Sequence, residues 1–261
     1  MTVPPSSAVD STVAEIRAVL DVARQLVNDI INGINSVLDQ LPPAAIAGIR
    51  AAVADLQRLL DIEVSEVERQ LAFAGSPDTL RIVGESWREV GRLASAQAGK
   101  ATLNSTRADD RWTGDAADAY SRALPAQEKA LIAIKARTDE IDKVLQDLAG
   151  SINAFWADIG IAAVALAAAL TSAFILAASA VGAPAAAGLA AAAVVAFATA
   201  ASSGVSALVD ITNACAARTT DLDRSLRNND AFDNGKWPSS TTDFFSDASL
   251  TDNDDTDWHI G

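Results

Sequence analysis

Apolar residues recur at Val9, Val13, Ile16, Leu20, Ala23, Val27, Ile30, Ile34, Val37 and Leu41. The steps alternate between four and three residues, which holds one face of a helix apolar over the whole stretch. Pro42-Pro43 ends it, because a proline lacks the N–H that the next helical turn needs. A second stripe follows at Ile46, Ile49, Val53, Leu56, Leu60, Val64, Val67 and Leu71. Gly75-Ser76-Pro77-Asp78 then reads as a turn and a fresh helix start. Ser76 is the natural cap, Pro77 suits the first helical position, and Asp78 suits the positive end of the helix dipole.

The third predicted helix carries Leu80, Val83, Trp87, Val90 and Leu93. Gly84, Gly91 and Ala98 recur every seventh residue along it. They make either a smooth strip for close helix contact or three small residues tolerated on an exposed face. The pattern breaks at Trp112-Thr113-Gly114, where glycine suits a tight reversal and the indole can pin it by burying a large ring. Trp112 also reads more simply, as a core tryptophan at a helix turn. The fourth predicted helix opens near Asp115, with Tyr120, Leu124, Leu131, Ile134, Ile141, Leu145, Leu148, Ile152 and Phe155 as its stripe and Thr138 in phase. Pro125 inside it predicts a kink or a delayed start.

From Ile159 to Val209 no residue is charged, and Gly182-Ala183-Pro184 divides the run into two halves. Each half would be about 35 Å long as a helix, enough for a hydrocarbon core of about 30 Å. The first half is rich in Ile, Leu, Val and Phe. The second is richer in Ala, Ser and Gly, which weakens its drive to insert. Asp210 and Arg218 close the run, and a short polar helix is expected over 221–226. Beyond Asn228 the chain is dominated by Asp, Asn, Ser and Thr, too polar to order itself by burial.

These patterns predict an all-α protein. An elongated antiparallel four-helix bundle is expected over 9–155, built from hairpins 9–74 and 78–155. An Ala-rich apolar helical hairpin over 159–227 follows, long enough for two membrane spans, with Gly182 and Pro184 at its tip. Residues 1–8 and the acidic tail 228–261 are expected to be disordered. Half of the residues are hydrophobic but only 5% are aromatic, so small aliphatic side chains carry the core, which favours helices.

The formal charge of -14 argues against nucleic acid as a partner, since no basic cluster offsets it. No metal or cofactor is expected, and no catalytic residues are assigned. His-Glu-x-x-His, Cys-x-x-Cys, phosphate-loop and nucleophile-elbow patterns are all missing from the sequence. The single histidine, His259, sits in the tail, and the single cysteine, Cys215, excludes an internal disulfide. Asp252–Asp257 lacks the central glycine and the distal glutamate of a calcium loop. The N-terminus has neither a basic region nor an apolar one, so no cleaved signal peptide is expected.

Residues 76–155 resemble the WXG superfamily, the small helical substrates of type VII secretion in mycobacteria and related bacteria. The residues that carry the likeness are Trp87, then Trp112-Thr113-Gly114, then Asp115–Tyr120 opening the next helix. The resemblance covers about a third of the chain. It implies a helical hairpin that pairs with a second hairpin, export as a folded unit, and a secretion or partner motif at Trp87, Trp112, Gly114 and Tyr120. The implied partners are the type VII machinery or its chaperone, and a helical-hairpin protein or a second copy. The chain departs from the family at its only tyrosine, Tyr120, where Leu124 stands in place of the acidic residue of a Tyr-x-x-x-Asp/Glu export motif.

Three functions remain open. The first is a secreted or envelope-associated type VII substrate, non-enzymatic, whose apolar hairpin meets membrane lipid. The second is a resident two-span membrane protein with Arg218, Arg224 and Arg227 on the cytoplasmic side. The third is a soluble helical partner-binding protein.

Overall fold

A computed structural model describes residues 8–72, 74–102, 105, 115–232 and 235–238. Five α-helices account for most of them: α1 (Ala8–Val37), α2 (Pro43–Leu71), α3 (Pro77–Ala98), α4 (Asp115–Ala177) and α5 (Ala183–Arg227). A 3-10 turn, Leu38–Gln40, follows α1, and no strand occurs among the described residues. The protein is all-α, as the patterning predicts.

The breaks between helices follow local chemistry. Pro43 occupies the first turn of α2, where its missing N–H costs nothing. Before α3, Gly75 adopts a φ of +79°, a conformation costly for any residue with a Cβ. The Ser76 hydroxyl lies 2.6 Å from that of Thr79 across the first turn of α3. Pro125 does not delay α4, which begins ten residues earlier and runs on through it. The helix absorbs the one backbone hydrogen bond a proline removes. The expected short helix over 221–226 is the last part of α5.

The described residues group into two compact units. The first lies within Met1–Thr79 and Leu148–Asn213, so it joins α1 and α2 to the second part of α4 and most of α5. All four segments feed one core. Ile16, Leu20, Ile30 and Ile34 come from α1, and Leu56, Val64 and Val67 from α2. Ile159, Leu166 and Leu170 come from α4, and Ala190, Val194 and Phe197 from α5. This division differs from the expected pairing of hairpin 9–74 with hairpin 78–155. The broad Ile/Leu/Val faces of α1 and α2 instead meet the aliphatic face of the uncharged run. Each Å² of apolar surface buried this way is worth about 25 cal/mol.

Polar groups fix the register inside this unit. The Arg24 guanidinium donates to both carboxylate oxygens of Glu68, at 2.6 and 3.1 Å, tying α1 to α2. That hydrogen bond chiefly holds the Glu68 carboxyl below the usual glutamate range; burial opposes it, and the positive charges of Arg24 and Arg17 add to it. Trp156, 3% exposed, donates its indole N–H to the Ala74 carbonyl at 2.8 Å and so pins the link between α2 and α3 onto α4. Phe155 meets Trp156 edge to face, with ring centroids 4.7 Å apart.

The second unit lies within Leu80–Asp147 and Ala214–Gly261. Its contact between α3 and α4 is made by small residues. A Cβ on Gly84 would stand 2.5 Å from Asp142 Oδ1, and one on Gly91 would stand 2.3 Å from Thr138 Oγ1. Ala94 and Ala98 are buried on α3, while Val83, Trp87, Val90 and Leu93 are exposed. The stripe of large apolar residues on α3 is therefore its outer side, because glycine lets the helix backbones approach closely on the other face. Arg218 of α5 donates to Asp147 of α4 at 3.0 Å.

The chain after α5 is placed as far as Pro238. Asn228 N–H closes onto the Arg224 carbonyl, Ala231 is buried, and the Phe232 and Trp237 rings lie 6.2 Å apart. Gln127 donates to the Pro238 carbonyl at 2.9 Å. The start of the segment expected to be disordered is thus tied to this unit through Gln127, with its own two aromatic rings lying together. Residues 239–261 lie outside the described residues.

Candidate functional site

The uncharged hairpin forms the second half of the first unit's core. Its inner face is set by helical spacing. Ile159, Ala163, Leu166, Leu170, Ala173 and Ala177 are buried on α4, and Ala183, Ala187, Ala190, Val194, Phe197 and Ala201 on α5. Small residues on this face allow close approach to α1: a Cβ on Gly33 would stand 3.2 Å from that of Ala177.

The outer face is apolar too. Ile161 is 70% exposed, Ile175 73% and Val181 93%, and Val164, Phe174, Leu176, Leu189, Val195 and Val209 are also exposed. A helix buried on one side ordinarily turns charge outward on the other. Both α1 and α2 do so, with Asp21, Arg24, Asp55 and Arg58 on their exposed sides. The hairpin does not. Helices α4 and α5 are each long and apolar enough, by length and composition, to cross a membrane.

Polar groups within the hairpin are satisfied by its own backbone. Thr171 and Ser172 donate to the carbonyls four residues earlier, at 2.8 and 3.1 Å. Thr199 and Ser206 do the same at 2.9 and 3.1 Å. At the reversal, Gly182 N–H donates to Ser179 Oγ at 3.0 Å, and Ser179 Oγ donates to the Leu176 carbonyl at 3.4 Å. Ala183 N–H closes onto the Ser179 carbonyl at 2.9 Å, and Ala186 N–H onto that of Gly182 at 2.8 Å. Only glycine fits position 182, since a Cβ there would stand 2.3 Å from the Leu176 carbonyl oxygen. Pro184 is exposed in the first turn of α5.

The other residues singled out in the sequence fall elsewhere. Trp87 stands on the exposed side of α3, and Tyr120 is half-buried in the first turns of α4. Gly84, Gly91 and Ala98 are buried on the opposite side of α3 from Trp87. Trp112, Thr113 and Gly114 lie outside the described residues. Trp156 has a role that periodicity misses. Its signal in the sequence is an aromatic pair placed where the charged heptads give way to the uncharged run.

The charged chemistry is self-neutralising. An open groove of the second unit is lined by Glu85, Arg88, Glu89, Arg92, Lys135 and Asp139. Within it Arg92 pairs with Glu89 at 2.6 Å and Lys135 pairs with Asp139. Among the described residues no group of three or more His, Cys, Asp or Glu side chains is placed to hold a metal ion. Comparison with protein-family models, curated proteins and solved structures finds no match to this chain.

Proposed function

We propose that this protein is a non-enzymatic, type VII secretion-associated substrate that carries an apolar helical hairpin to a membrane. The observation that carries the membrane part is the hairpin's outer face. It is uncharged from Ile159 to Val209 and exposes Ile161, Ile175 and Val181 while its inner face is packed on α1 and α2. Apolar surface of that extent calls for a partner. In this reading α1 and α2 are the water-soluble cover of a four-helix bundle, and lipid replaces them when the hairpin inserts. A permanently spanning hairpin fits less well. Asp21, Arg24, Asp55 and Arg58 on the cover would then lie in hydrocarbon, at a cost of about 2.5–3.5 kcal/mol each.

The export part rests on the resemblance around Trp87 and Trp112-Thr113-Gly114. Fractionation of the native host tests both parts. Protein in the culture filtrate, lost on replacing Trp112 or Gly114, supports export. Alkali-resistant membrane retention in every fraction supports the resident two-span protein instead. A soluble form indifferent to liposomes refutes both membrane readings.

A second reading, binding of a helical-hairpin partner, is favoured by the exposed ridge Val83, Trp87, Val90 and Leu93 on α3. Trp87→Ala should abolish co-purification of such a partner from the host without changing helix content.

A further inference from the structure

We infer that the reversal between α4 and α5 is a preformed dock for a neutral lipid surface, used by the intact first unit before any helix leaves it. This inference rests on the membrane reading above and names its first step and its lipid class.

Phe174, Ile175, Leu176 and Val181 are all exposed within eight residues, and Val181 at the apex is the most exposed large apolar side chain of the described residues. A reversal facing water is ordinarily built from Asn, Asp, Gly and charged residues. Here it reads Ala-Ala-Ser-Ala-Val-Gly-Ala-Pro. Four hydrogen bonds close part of its polar surface on itself. Ser179 Oγ accepts from Gly182 N–H and donates to the Leu176 carbonyl, and the Ser179 and Gly182 carbonyls accept from Ala183 and Ala186. These bonds lower the number of polar groups that hydrocarbon would leave unpaired.

Charge selects the lipid. The reversal has no cation of its own, and Gly33 against Ala177 brings the end of α1 to this end of the unit. Between Asp29 and Asp55 the chain of α1 and α2 carries only Asp39 and Arg50, one of each sign, so that stretch offers no basic cluster to attract anionic headgroups. With a net charge of -14 the protein gains nothing from an anionic surface. Docking is therefore hydrophobic and suits zwitterionic headgroups.

Flotation of the full chain with phosphatidylcholine vesicles tests this, with and without added phosphatidylserine. The wild type should float with pure phosphatidylcholine, and phosphatidylserine should not strengthen binding. Ile175→Asp with Val181→Asp should reduce partitioning at least about tenfold. Both side chains are exposed, so helix content and melting temperature should stay unchanged. Ile161→Asp, on the outer face away from the reversal, should float like the wild type. Three results overturn the inference while leaving the membrane reading standing: tip variants that bind like the wild type, equal loss from Ile161→Asp, or a requirement for phosphatidylserine. Wild type that floats with no vesicle refutes both. If the tip variants change only self-association in sedimentation, the occupant is a second copy and the inference fails.

Discussion

Gly91 and Gly188 are both helical glycines, and a methyl group does opposite things at the two. At Gly91 it would enter a space where Thr138 Oγ1 already stands 2.3 Å away. Thr138 is 3% exposed and donates to the Lys135 carbonyl, so it has little room to yield. Gly91→Ala should cost about 1–3 kcal/mol. Nothing lies within 4 Å of a Cβ on Gly188. Gly188→Ala should therefore stabilise by about 0.5–1 kcal/mol through helix propensity, and paired thermal melts check the opposite signs. Glu68 offers a pH signature. Its carboxyl is held below the usual range by Arg24, so the pair stabilises at neutral pH and that contribution is lost as pH falls through the lowered value. Both side chains are partly exposed, so the contribution is under about 1 kcal/mol. Melting of Glu68→Gln should fall below that of the wild type at about pH 7, and the two should converge as the pH falls below the usual glutamate range and through the lowered value.

At the scale of the helices, the cover and the hairpin depend on each other. Leu56 is fully buried in α2, and Leu56→Ala should cost about 2–5 kcal/mol. Because the change loosens the cover and leaves the hairpin intact, vesicle leakage should rise as stability falls. A variant that is less stable but no more membrane-active would count against the exchange of cover for lipid. Helix positions and the uncharged run are legible in the sequence, since each rests on periodicity or composition within one segment. Which hairpin covers which is not. The stripes of 9–74 fit any apolar face of similar width, and the heptads of 78–155 advertise one. What decides is the side of α3 that packs. Gly84 and Gly91 permit close approach to α4 there, and that leaves Val83 and Trp87 outward. A hydrophobic count sees the large residues and not the advantage of having none. The tail shows the same limit on a smaller scale. Gln127 holds its start at Pro238 although aspartate dominates its composition.

For the whole molecule, the claim is that α1 and α2 must leave the hairpin before it can span a bilayer, whereas the reversal docks without that release. The close contact between Gly33 and Ala177 allows the two states to be separated. Their Cβ positions would be 3.2 Å apart, within a few tenths of an ångström of disulfide geometry. Gly33→Cys with Ala177→Cys, in a Cys215→Ser background, would lock α1 to the hairpin when oxidised and free it when reduced. The most direct test is alkali-resistant retention of this protein on phosphatidylcholine vesicles before and after reduction. The oxidised form should float with the vesicles and be stripped by alkali. The reduced form should be retained. Equal retention of both forms would contradict the account, because the hairpin would then insert without shedding its cover.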